Sequence, residues 1–475
     1  MSTAVVLGGG VSGLAAAYYL QRQTAAKFAK IILLEASDRL GGWVRSTRYD
    51  NGAVFEHGPR SLRPVGDSGI NSLMLAEELG LSNQILPCLS TSAAAKNRFL
   101  FIDGQIHALP NSLKSILRTQ APFTKPMILS GLKELLTKKG DNSDETVHAF
   151  VARRFGAELA DYAVDPMCRG IFAGNCRNLS VDACFPMLTN MERDHGSVIK
   201  GMLTPKSKKR EIPSSSLVRV SELEKWVSWS LRTGLQELTD TMSTVIGQNS
   251  TTEVRTSTPC MGIELLHDGK LKVKTEGEDI TADHVFSGVY SKNLGSLLPA
   301  SPLKDNLMEI PAVSVVVINM EYEGLQLPYE GFGHLLPSFE SGPVLGVIYD
   351  SCTFPEHNRG DMTDSTRVTV MLGGAWFDDL VKLTNLDESH LKQIAHDALK
   401  TQLGITEKPI RTYVTLQKDC IPQYILGHNK RLSSMDKYLA DTKLPLSLIG
   451  SSYRGPSVND CIYNTRLTVE KVCNS

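Results

Sequence analysis

Two short apolar runs near the start of the chain flank an alanine-rich segment. Residues 3–8 (TAVVLG) and 30–35 (KIILLE) are almost continuously apolar, a pattern typical of strands buried on both faces of a parallel sheet. The intervening residues predict a helix from about 11 to 23. A crossover of about 30 residues places two such strands in one sheet through a right-handed connection. The pattern therefore predicts a Rossmann-like unit at the start of the chain.

Helical periodicity dominates the following part of the chain. It runs from 66 to 90, with a stop at Gly80, and again through most of 111–205. Within it, residues 125–139 combine apolar positions with four lysines. Two interpretations stay open for that segment: a surface helix with a solvated basic face, or a helix lying in a membrane interface. The polar, serine-rich residues 205–217 predict a flexible loop.

The second half of the chain has a different pattern. Apolar and β-branched runs predict strands at 270–276, 311–322, 343–350 and 367–374, separated by loops rather than by regular helices. This spacing favours a mixed or antiparallel sheet that is distinct from the first one. A helix follows at about 388–403, then a strand at 444–452, a glycine turn, and a last helix at about 457–472.

Composition and charge exclude several classes of protein. The 475 residues include 50 basic and 51 acidic side chains, a balance that argues against nucleic-acid binding. Nine scattered cysteines without a CxxC pair predict no disulfide framework, no metal site and a reducing compartment. No apolar run reaches the length of a membrane span. We expect no cleaved presequence, because a core strand begins at about residue 3.

A glycine motif lies between the first strand and the first helix. Gly8, Gly10 and Gly13 match G-x-G-x-x-G, in which the glycines permit a tight turn, close approach to a pyrophosphate, and close packing of helix on strand. The helix N-terminus then offers free N–H groups to phosphates. Glu35, 22 residues after Gly13, ends the second strand where a carboxylate accepts hydrogen bonds from ribose hydroxyls. These residues predict a dinucleotide site without separating NAD from FAD.

Two further segments favour FAD. Arg39, Gly41 and Gly42 form an R-x-G-G sequence that resembles the signature of the flavin amine oxidase superfamily, where it lies against the FAD diphosphate. Near the C-terminus, Gly450 and Gly455 precede a helix start at Ser457 or Val458, which predicts a second helix N-terminus directed at the flavin ring. The superfamily usually has an acidic residue after the first of these glycines, and this chain has serine, so no carboxylate role carries over.

Six stretches narrow the resemblance, and they extend over essentially the whole chain. They are EHGPRSLRP (56–64), NRFLF (97–101), CRGIFAGN (168–175), GFGHLLP (331–337), VMLGGAW (370–376) and CIPQY (420–424). Together they resemble the protoporphyrinogen oxidase family in its animal mitochondrial form. The resemblance implies non-covalent FAD and the oxidation of protoporphyrinogen IX to protoporphyrin IX, with three O₂ reduced to three H₂O₂.

The resemblance also implies two sets of site residues. The FAD contacts implied are Gly8, Gly9, Gly10, Val11, Ser12, Gly13, Glu35, Ala36, Arg39, Gly41, Gly42, Trp43, Gly58, Pro59, Arg60, Ser61, Cys260, Ser451, Pro456, Ser457 and Val458. The substrate contacts implied are Arg98, Gly170, Phe332, Gly333, Leu335 and Met371. Cys260 and Pro456 depart from the residues usual in the family, and Arg454 stands where an acidic residue is common.

The chemistry of such a substrate fits these residues. A large apolar macrocycle with two propionates needs a wide apolar slot and an arginine that can bind a carboxylate with two N–H groups. Arg98 suits that role. No general base stands out, and we expect hydride transfer to flavin N5 with positioning supplying most of the rate. His334 is the one histidine within a pocket motif and is a weak alternative for a proton role.

Three competing functions remain. Another flavin amine or polyamine oxidase would share the fold, but the C-terminal region lacks a cysteine-containing flavin-attachment motif and a convincing aromatic pair. Oxidation of coproporphyrinogen III is the second alternative. That substrate carries four propionates, so its pocket would be expected to contain more cationic residues than Arg98 alone. A non-enzymatic dinucleotide-binding scaffold would not need both cofactor motifs.

The fold class expected is α/β: a Rossmann-like FAD-binding domain, a mixed-sheet substrate domain and a mostly helical membrane-binding domain. We expect the FAD-binding domain to comprise 1–90, 211–300 and 415–475, the helical domain 91–210, and the substrate-binding sheet 301–414. The resemblance further implies a homodimer held peripherally on the mitochondrial inner membrane. Its partners would be the porphyrinogen, O₂, the membrane surface and the next enzyme of the haem pathway, and no nucleic acid.

Overall fold

A computed structural model describes residues 2–23, 27–141, 144–204, 215–360 and 364–474. Most of the predicted loop at 205–217 therefore lies outside the described residues. The first elements are β1 (Thr3–Leu7), α1 (Val11–Gln21), β2 (Lys30–Leu34), β3 (Ser46–Arg48), β4 (Val54–Glu56), α2 (Gly66–Glu78), β5 (Ile85–Leu89), α3 (Ala93–Lys96), β6 (Phe99–Ile102) and β7 (Gln105–Ala108).

A helical region follows. It contains α4 (Leu113–Ile116), α5 (Met127–Leu136), α6 (Val147–Arg154), α7 (Ala157–Leu159), a π-helical turn (Ala160–Val164), α8 (Asp165–Phe172), α9 (Val181–Cys184), α10 (Pro186–His195), α11 (Val198–Leu203) and α12 (Ser216–Leu223). This confirms the helical character predicted for 111–205.

Strands return after α12. The elements are β8 (Trp226–Leu231), α13 (Gln236–Gly247), β9 (Thr252–Arg255), β10 (Cys260–Leu265), β11 (Leu271–Thr275), β12 (Ile280–Ala282), β13 (His284–Ser287), α14 (Ser291–Leu297), α15 (Pro302–Met308), β14 (Ala312–Glu323), β15 (Gly333–Leu335) and β16 (Val344–Ile348). The last are α16 (Asp350–Thr353), β17 (Ser365–Gly374), α17 (Phe377–Thr384), α18 (Glu388–Leu403), β18 (Arg411–Pro422), α19 (His428–Thr442), β19 (Leu446–Leu448) and α20 (Val458–Asn474).

A five-stranded parallel sheet carries the start of the chain. Its order is β19-β13-β1-β2-β9, and Val5 of β1 lies between Val285 and Ile32. The predicted parallel pair and its crossover helix are confirmed. Helix α1 presents Ala15, Ala16 and Ala17 as fully buried residues, and these small side chains let it pack closely between the sheet, α13 and α20.

A seven-stranded mixed sheet forms the second layer, as predicted. Its order is β18-β14-β17-β16-β15-β6-β7, and only the β15–β6 pair is parallel. Helix α18 covers one face with Leu391, Ala395 and Leu399, which pack against Val316 and Ile318. The opposite face is turned toward the dinucleotide-binding sheet through the segment that follows β4.

Three predictions about local structure were wrong. The stop predicted at Gly80 is confirmed, since α2 ends at Glu78, but the helical pattern expected up to residue 90 is not, because residues 85–89 form β5, whose Ile85 and Leu86 are buried against β8. Strand β11 belongs to a separate antiparallel sheet with β10 and β12. Two helices, α14 and α15, occupy the stretch predicted as loop between those strands and β14, because their leucines fill the space beneath the parallel sheet.

Strand pairing also crosses two of the expected domain boundaries. Strands β6 and β7, within the expected helical segment 91–210, complete the edge of the mixed sheet. Strand β18 pairs with β14 along its length and runs through the boundary expected at residue 414.

The helical region has one strongly apolar exposed surface. On α5, Leu129 is 47% exposed, Leu132 is 50% exposed and Leu136 is 85% exposed. The same helix is anchored from beneath by Glu134, whose buried carboxylate pairs with Arg154 of α6. Within the described ranges, none of the helices combines the length and the apolar character that crossing a bilayer requires.

Candidate dinucleotide and substrate site

The glycine turn between β1 and α1 leaves no room for side chains. A Cβ on Gly13 would lie 1.8 Å from the carbonyl oxygen of Gly8, and one on Gly9 would lie 2.4 Å from the Leu40 side chain. Gly8 has a φ of +91°, which side-chain-bearing residues rarely adopt. Around Gly10, in contrast, the nearest atom to a built Cβ is 3.8 Å away. The turn is therefore closely packed at Gly9 and Gly13, and it leaves open space at Gly10, just before α1.

Glu35 is held at the end of β2 beside this turn. Its Oε2 accepts a hydrogen bond from the Gly9 N–H at 2.6 Å, and its Oε1 accepts one from the Ser37 N–H at 2.8 Å. Oε1 also accepts from the Ser37 hydroxyl at 2.7 Å, so Oε2 is the oxygen that keeps a second lone pair. The carboxylate is therefore fixed in orientation and can still accept hydrogen bonds from ribose hydroxyls.

The R-x-G-G loop closes over the turn. The Gly41 N–H donates to the Gly9 carbonyl at 2.8 Å, and a Cβ on Gly42 would lie 3.0 Å from the Gly10 Cα. The Arg39 guanidinium donates to the carbonyls of Leu40 and Gly42. The two glycine segments are therefore in direct contact. Their backbones can approach this closely because neither carries Cβ atoms at the contact.

The C-terminal segment reaches the same place. Gly450, with a φ of +100°, follows β19, and a Cβ on it would lie 3.4 Å from Ser12 Oγ and 3.4 Å from the Gly288 carbonyl oxygen. The Ser457 hydroxyl accepts a hydrogen bond from the Asp460 N–H at 3.1 Å in the first turn of α20. The two glycine motifs at opposite ends of the chain thus meet across the end of β13.

Two buried oxygens at this end of the sheet lack a partner among the described residues. They are Ser287 Oγ at the end of β13 and Asn459 Oδ1 in the first turn of α20. The Asn459 amide nitrogen is satisfied, since it donates to the Arg63 carbonyl at 2.8 Å. Unpaired buried polar atoms are rare in folded proteins, and here they indicate that a polar ligand completes the site.

The segment after β4 joins the cofactor side to the mixed sheet. A Cβ on Gly58 would lie 2.2 Å from the Trp43 carbonyl oxygen, so the segment packs directly on the loop that follows R-x-G-G. Arg60 Nη1 lies 2.5 Å from Asp350 Oδ1, and the two side chains are 9% and 14% exposed. The resemblance implies an FAD contact for Arg60, and the structure turns its guanidinium toward Asp350.

A chain of polar contacts continues from that ion pair across the sheet. The Thr369 hydroxyl lies 2.6 Å from Asp350 Oδ2 and 2.7 Å from Asn319 Oδ1. His57 in turn lies 3.4 Å from the Asn319 amide and 3.0 Å from the Thr415 hydroxyl. Burial, with repulsion from nearby arginines, lowers the pKa of His57 to about 4, so its ring is neutral.

Glu56 is a buried acid next to this network. Its carboxylate accepts hydrogen bonds from the Leu235 N–H and the Ser46 hydroxyl, each at 2.7 Å. Burial is the largest influence on this group and raises its pKa to about 7.

Three of the substrate residues implied by the resemblance come together on the mixed sheet. Leu335 of β15 is opposite Gly346 of β16, which is in turn opposite Met371 of β17. A Cβ on Gly170 of α8 would lie 2.9 Å from the Leu335 side chain, and a Cβ on Gly346 would lie 2.7 Å from it. Helix α8 can therefore approach the sheet over Leu335 only because both positions are glycine.

Arg98 and Phe332 also meet. The Arg98 guanidinium carbon lies 5.0 Å from the centre of the Phe332 ring, and Nη1 donates to the Ala94 carbonyl at 2.9 Å. No carboxylate among the described residues forms an ion pair with Arg98. Arg98 immediately precedes β6, in which Leu100 is opposite Leu335. Gly333, with a φ of +140°, lets the strand bend between Phe332 and Leu335.

His334 lies on the opposite face of the mixed sheet. Its Nδ1 is 2.8 Å from the Tyr349 hydroxyl, and its Nε2 is 2.7 Å from Gln402 Oε1 of α18. Only 1% of its surface is exposed, and burial lowers its pKa to about 4. The hypothesis of a proton role for His334 is therefore wrong, because strand alternation points it at α18 and away from Leu335.

The remaining predicted cofactor residues surround this core. Ala36 and Trp43 are exposed beside the glycine loops, and Cys260 begins β10 shortly after Thr258, whose N–H donates to the Glu35 carbonyl. Val11 is the first residue of α1, and Pro59 and Ser61 flank Arg60. Ser451 and Pro456 belong to the turn before α20, and Val458 is the first residue of that helix.

Sequence reasoning missed the polar partners and one anchor. The missed polar partners lie in segments whose apolar pattern predicts buried strands: Asp350, Thr369 and Asn319. Buried Arg169 was also missed, although it directly precedes Gly170. Its Nη1 donates to the Leu336 and Pro337 carbonyls and its Nη2 to that of Val344, so it fixes α8 to the loop between β15 and β16. The only sequence signal was a charged residue within an apolar helical face.

The described residues fit FAD. The open space at Gly10, the fixed carboxylate of Glu35, the loop glycines and the unpaired oxygens of Ser287 and Asn459 surround the carboxyl end of a parallel sheet, where dinucleotides bind. The segment after β4 joins this layer to a second sheet, which carries an apolar row and Arg98, an arginine with no ion-pair partner among the described residues. A fold of two sheet layers with such a site defines the class of flavin-dependent oxidoreductases.

Comparison with known proteins places the chain more narrowly. Residues 11–472 match the family profile of flavin-containing amine oxidoreductases. Human protoporphyrinogen oxidase is 45% identical over 467 residues, covering 98% of this chain and 97% of the human one. Coproporphyrinogen III oxidase from Bacillus subtilis is 26% identical over 96% of this chain and 95% of its own.

A solved structure supports the same grouping. The crystal structure of a candidate protoporphyrinogen oxidase from Exiguobacterium sp. 255-15 superposes with a TM-score of 0.80 at 25% identity, covering 100% of this chain and 99% of the other. The chain belongs to the flavin-containing amine oxidoreductase family and, within it, to the protoporphyrinogen oxidases. The resemblance stated from the sequence is confirmed, and the family implies a flavin cofactor.

Proposed function

We propose that this protein oxidises protoporphyrinogen IX to protoporphyrin IX, using non-covalently bound FAD and O₂. The observation that carries the proposal is the 45% identity with human protoporphyrinogen oxidase over 98% of the chain. The geometry supports it, because the segment after β4 packs on the loop after R-x-G-G and is hydrogen-bonded to β18 of the sheet that carries the apolar row. When bound, FAD would take two electrons per cycle from the macrocycle and pass them to O₂, so that three O₂ become three H₂O₂.

The cofactor would be held by backbone atoms and one carboxylate. The glycine turn and the start of α1 present N–H groups to the diphosphate, and Glu35 accepts from the ribose. The R-x-G-G loop and the segment around Gly58 cover it. The turn between Gly450 and Val458 closes the site from the far end of the chain.

The substrate would lie beside α8, on the face of the mixed sheet that carries Leu335 and Met371. Leu335 and Met371 present an apolar surface on either side of Gly346, which suits a flat, largely apolar macrocycle. Arg98 would bind a propionate, and its contact with the Phe332 ring would hold the guanidinium in place. Buried Arg169 donates to three carbonyls of the neighbouring loop and would keep Leu335 at its position.

Among the residues near this face that the structure describes, none is suited to act as general base. Burial keeps His57 neutral with a pKa of about 4, and His334 faces α18. The protein would therefore act by orienting the macrocycle and excluding water, while the pyrrole protons leave to solvent.

We also propose a peripheral membrane protein of the mitochondrial inner membrane that acts as a homodimer. The exposed leucines of α5, flanked by lysines, would enter the interface between lipid headgroups and acyl chains. A product as apolar as protoporphyrin would benefit from direct transfer to the next enzyme of the haem pathway.

Aerobic turnover tests the function. Purified protein should be yellow and should produce porphyrin fluorescence and peroxide from protoporphyrinogen IX, with little activity on benzylamine or spermine. A higher kcat/KM for coproporphyrinogen III would move the assignment to that reaction, as in the Bacillus relative. A colourless protein that FAD cannot reconstitute would instead favour a scaffold without enzymatic activity.

A further inference from the structure

A stacked aromatic pair lies behind the C-terminal turn of the cofactor site. The rings of Tyr424 and His428 are 4.0 Å apart and inclined by 17°, and the two residues are 2% and 1% exposed. Tyr424 follows β18, and His428 begins α19. Neither residue belongs to the predicted cofactor or substrate sets.

Both rings bind the backbone of the turn after β19. The Tyr424 hydroxyl donates to the Ser451 carbonyl at 2.5 Å, and His428 Nε2 lies 2.9 Å from the Tyr453 carbonyl. A carbonyl oxygen only accepts, so Nε2 must carry the proton. One phenol and one imidazole therefore hold the carbonyls at both ends of the segment 451–453.

This backing is itself rigid, because the segment from 423 to 428 is bound to the helical region. The Tyr424 carbonyl accepts from the Ser180 N–H at 2.8 Å, and the Gly427 N–H donates to Asp144 Oδ2 at 2.9 Å. Gln423 Nε2 donates to the Phe172 carbonyl at 2.9 Å. The turn after β19 is thus held against the helical region through Tyr424 and His428.

Fixing a carbonyl also fixes the amide of the same peptide plane. The carbonyl and N–H of a trans peptide point in opposite directions, so the Ser452 N–H points away from Tyr424. The Ser452 N–H has no hydrogen-bond partner among the described residues. A backbone donor without an acceptor in the protein is available to a ligand. Gly450, two residues earlier, lies against Ser12 and Gly288 of the dinucleotide site.

We propose that Tyr424 and His428 are positioning residues that orient the peptide between Ser451 and Ser452, so that the Ser452 N–H donates a hydrogen bond to bound FAD. This inference rests on the proposed function. Neither side chain touches the cofactor; each acts through the backbone of the turn. A donor held beside the start of α1 would bind the diphosphate of FAD, which carries the same charge in both redox states, so it would strengthen FAD binding without changing the flavin potential.

Two tyrosines in this region offer a matched comparison. Tyr453 is as buried as Tyr424, at 2% exposed, but its hydroxyl has no partner within the described ranges. Tyr424→Phe and Tyr453→Phe each remove one buried hydroxyl from the same region. Only Tyr424→Phe also removes a hydrogen bond to the turn. We would compare both variants with the wild-type holoenzyme by FAD dissociation constant and by midpoint potential of the bound flavin.

We expect Tyr424→Phe to weaken FAD binding about three- to tenfold, the effect of one lost hydrogen bond, and to leave the flavin potential unchanged, because the lost donor faces the diphosphate. Tyr453→Phe should leave both quantities unchanged. His428→Phe, which keeps the stack and loses the donor, should act like Tyr424→Phe, and His428→Gln, which keeps a donor, should restore part of the affinity. If Tyr424→Phe does not fold, the comparison of His428→Phe with His428→Gln tests the proposal instead.

Equal FAD affinities in Tyr424→Phe, His428→Phe and Tyr453→Phe would overturn the inference while leaving the proposed function intact. A wild-type protein that binds no FAD would overturn the proposed function and the inference together. The wild-type measurement therefore distinguishes the two failures.

Discussion

Arg60 and Asp350, 290 positions apart in the chain, form a 2.5 Å ion pair between the dinucleotide-binding layer and the mixed sheet. The pair lies at the point where the segment after β4 crosses from one layer to the other. It is extended by Thr369, which holds the second oxygen of Asp350. This contact is one of those that join the cofactor and substrate sides of the molecule.

Breaking the pair from the acidic side should destabilise the protein. Asp350→Asn leaves the buried Arg60 charge without its counter-ion, and such losses cost about 3 kcal/mol. Thermal unfolding should show a clear drop in Tm. The control is Asp379→Asn, which removes an ion pair whose partners are 71% and 76% exposed, and no measurable change is expected there. Equal Tm values for the two variants would mean that the Arg60 pair does not stabilise the fold.

Stability should depend on pH through Glu56. Its carboxyl titrates near 4.5 in the unfolded chain and near 7 in the folded one, because burial disfavours the charge. Between these values the folded protein holds a proton that the unfolded chain has released, so stability falls as pH rises through this window. The loss is about 3 kcal/mol at most.

Urea unfolding at pH 5 and pH 8 checks this dependence. Glu56→Gln stays neutral and should flatten the profile relative to wild type. Glu253→Gln should leave it unchanged, because hydrogen bonds from Arg255 and then Lys30 lower the pKa of Glu253 to about 2, outside the range measured. A wild-type profile parallel to that of Glu56→Gln would contradict the raised pKa.

Arg98 should determine the affinity for the propionate-bearing substrate. Arg98→Ala removes a charge-assisted contact, and kcat/KM for protoporphyrinogen should fall by the equivalent of about 1–3 kcal/mol. Arg98→Lys keeps the charge but loses the planar fork, so an intermediate value is expected. Arg22→Ala, at the exposed end of α1, is the control and should match wild type. Unchanged kinetics in Arg98→Ala would remove this residue from the substrate site.

The glycine turn should tolerate no side chain where it packs. In Gly13→Ala the new Cβ would meet the Gly8 carbonyl oxygen at 1.8 Å, so the turn must open and FAD uptake should be lost. Gly247→Ala places a Cβ where no atom lies within 4 Å, at the end of α13. That variant should keep its flavin and gain about 0.5 kcal/mol of stability. Flavin absorbance per protein and urea unfolding distinguish these outcomes, and full flavin content in Gly13→Ala would refute the packing argument.

Helix α5 should bind lipid through its exposed leucines. Replacing Leu129, Leu132 and Leu136 by serine should weaken association with vesicles containing an anionic lipid by at least about tenfold, because less apolar surface enters the interface. Stability should not fall, since these side chains are already exposed. The control replaces Leu325, Leu383 and Leu467, which are 78%, 63% and 43% exposed elsewhere on the surface. Equal vesicle binding in the two triple variants would show that α5 is not the contact.

The sequence was most informative where structure is decided by near neighbours. The βαβ unit at the start of the chain follows from apolar runs and glycine spacing within 35 residues, and helix α18 begins and ends where its periodicity predicts, at Glu388 and Leu403. The glycine positions of the cofactor site could be read in the same way, because a tight turn imposes its requirement on adjacent residues.

Contacts between residues far apart in the chain could not be predicted from local sequence patterns. Nothing near Arg60 indicates that its partner is Asp350, and nothing near Leu335 indicates that Gly170 and Gly346 make room for it. The error on His334 has the same origin. A pocket motif assigned by resemblance says which strand lines the site, while the alternation along that strand decides which side chain faces it.

The order β19-β13-β1-β2-β9 has a consequence for synthesis of the chain. The strand that precedes the first glycine motif pairs with one made from residues 284–287, and that strand pairs with one made from residues 446–448. A growing polypeptide thus carries its phosphate-binding turn for most of translation with its sheet incomplete and apolar edges uncovered. A premature stop in the final part of the message would yield a product with every N-terminal signature of a flavoprotein and no finished pocket for the flavin.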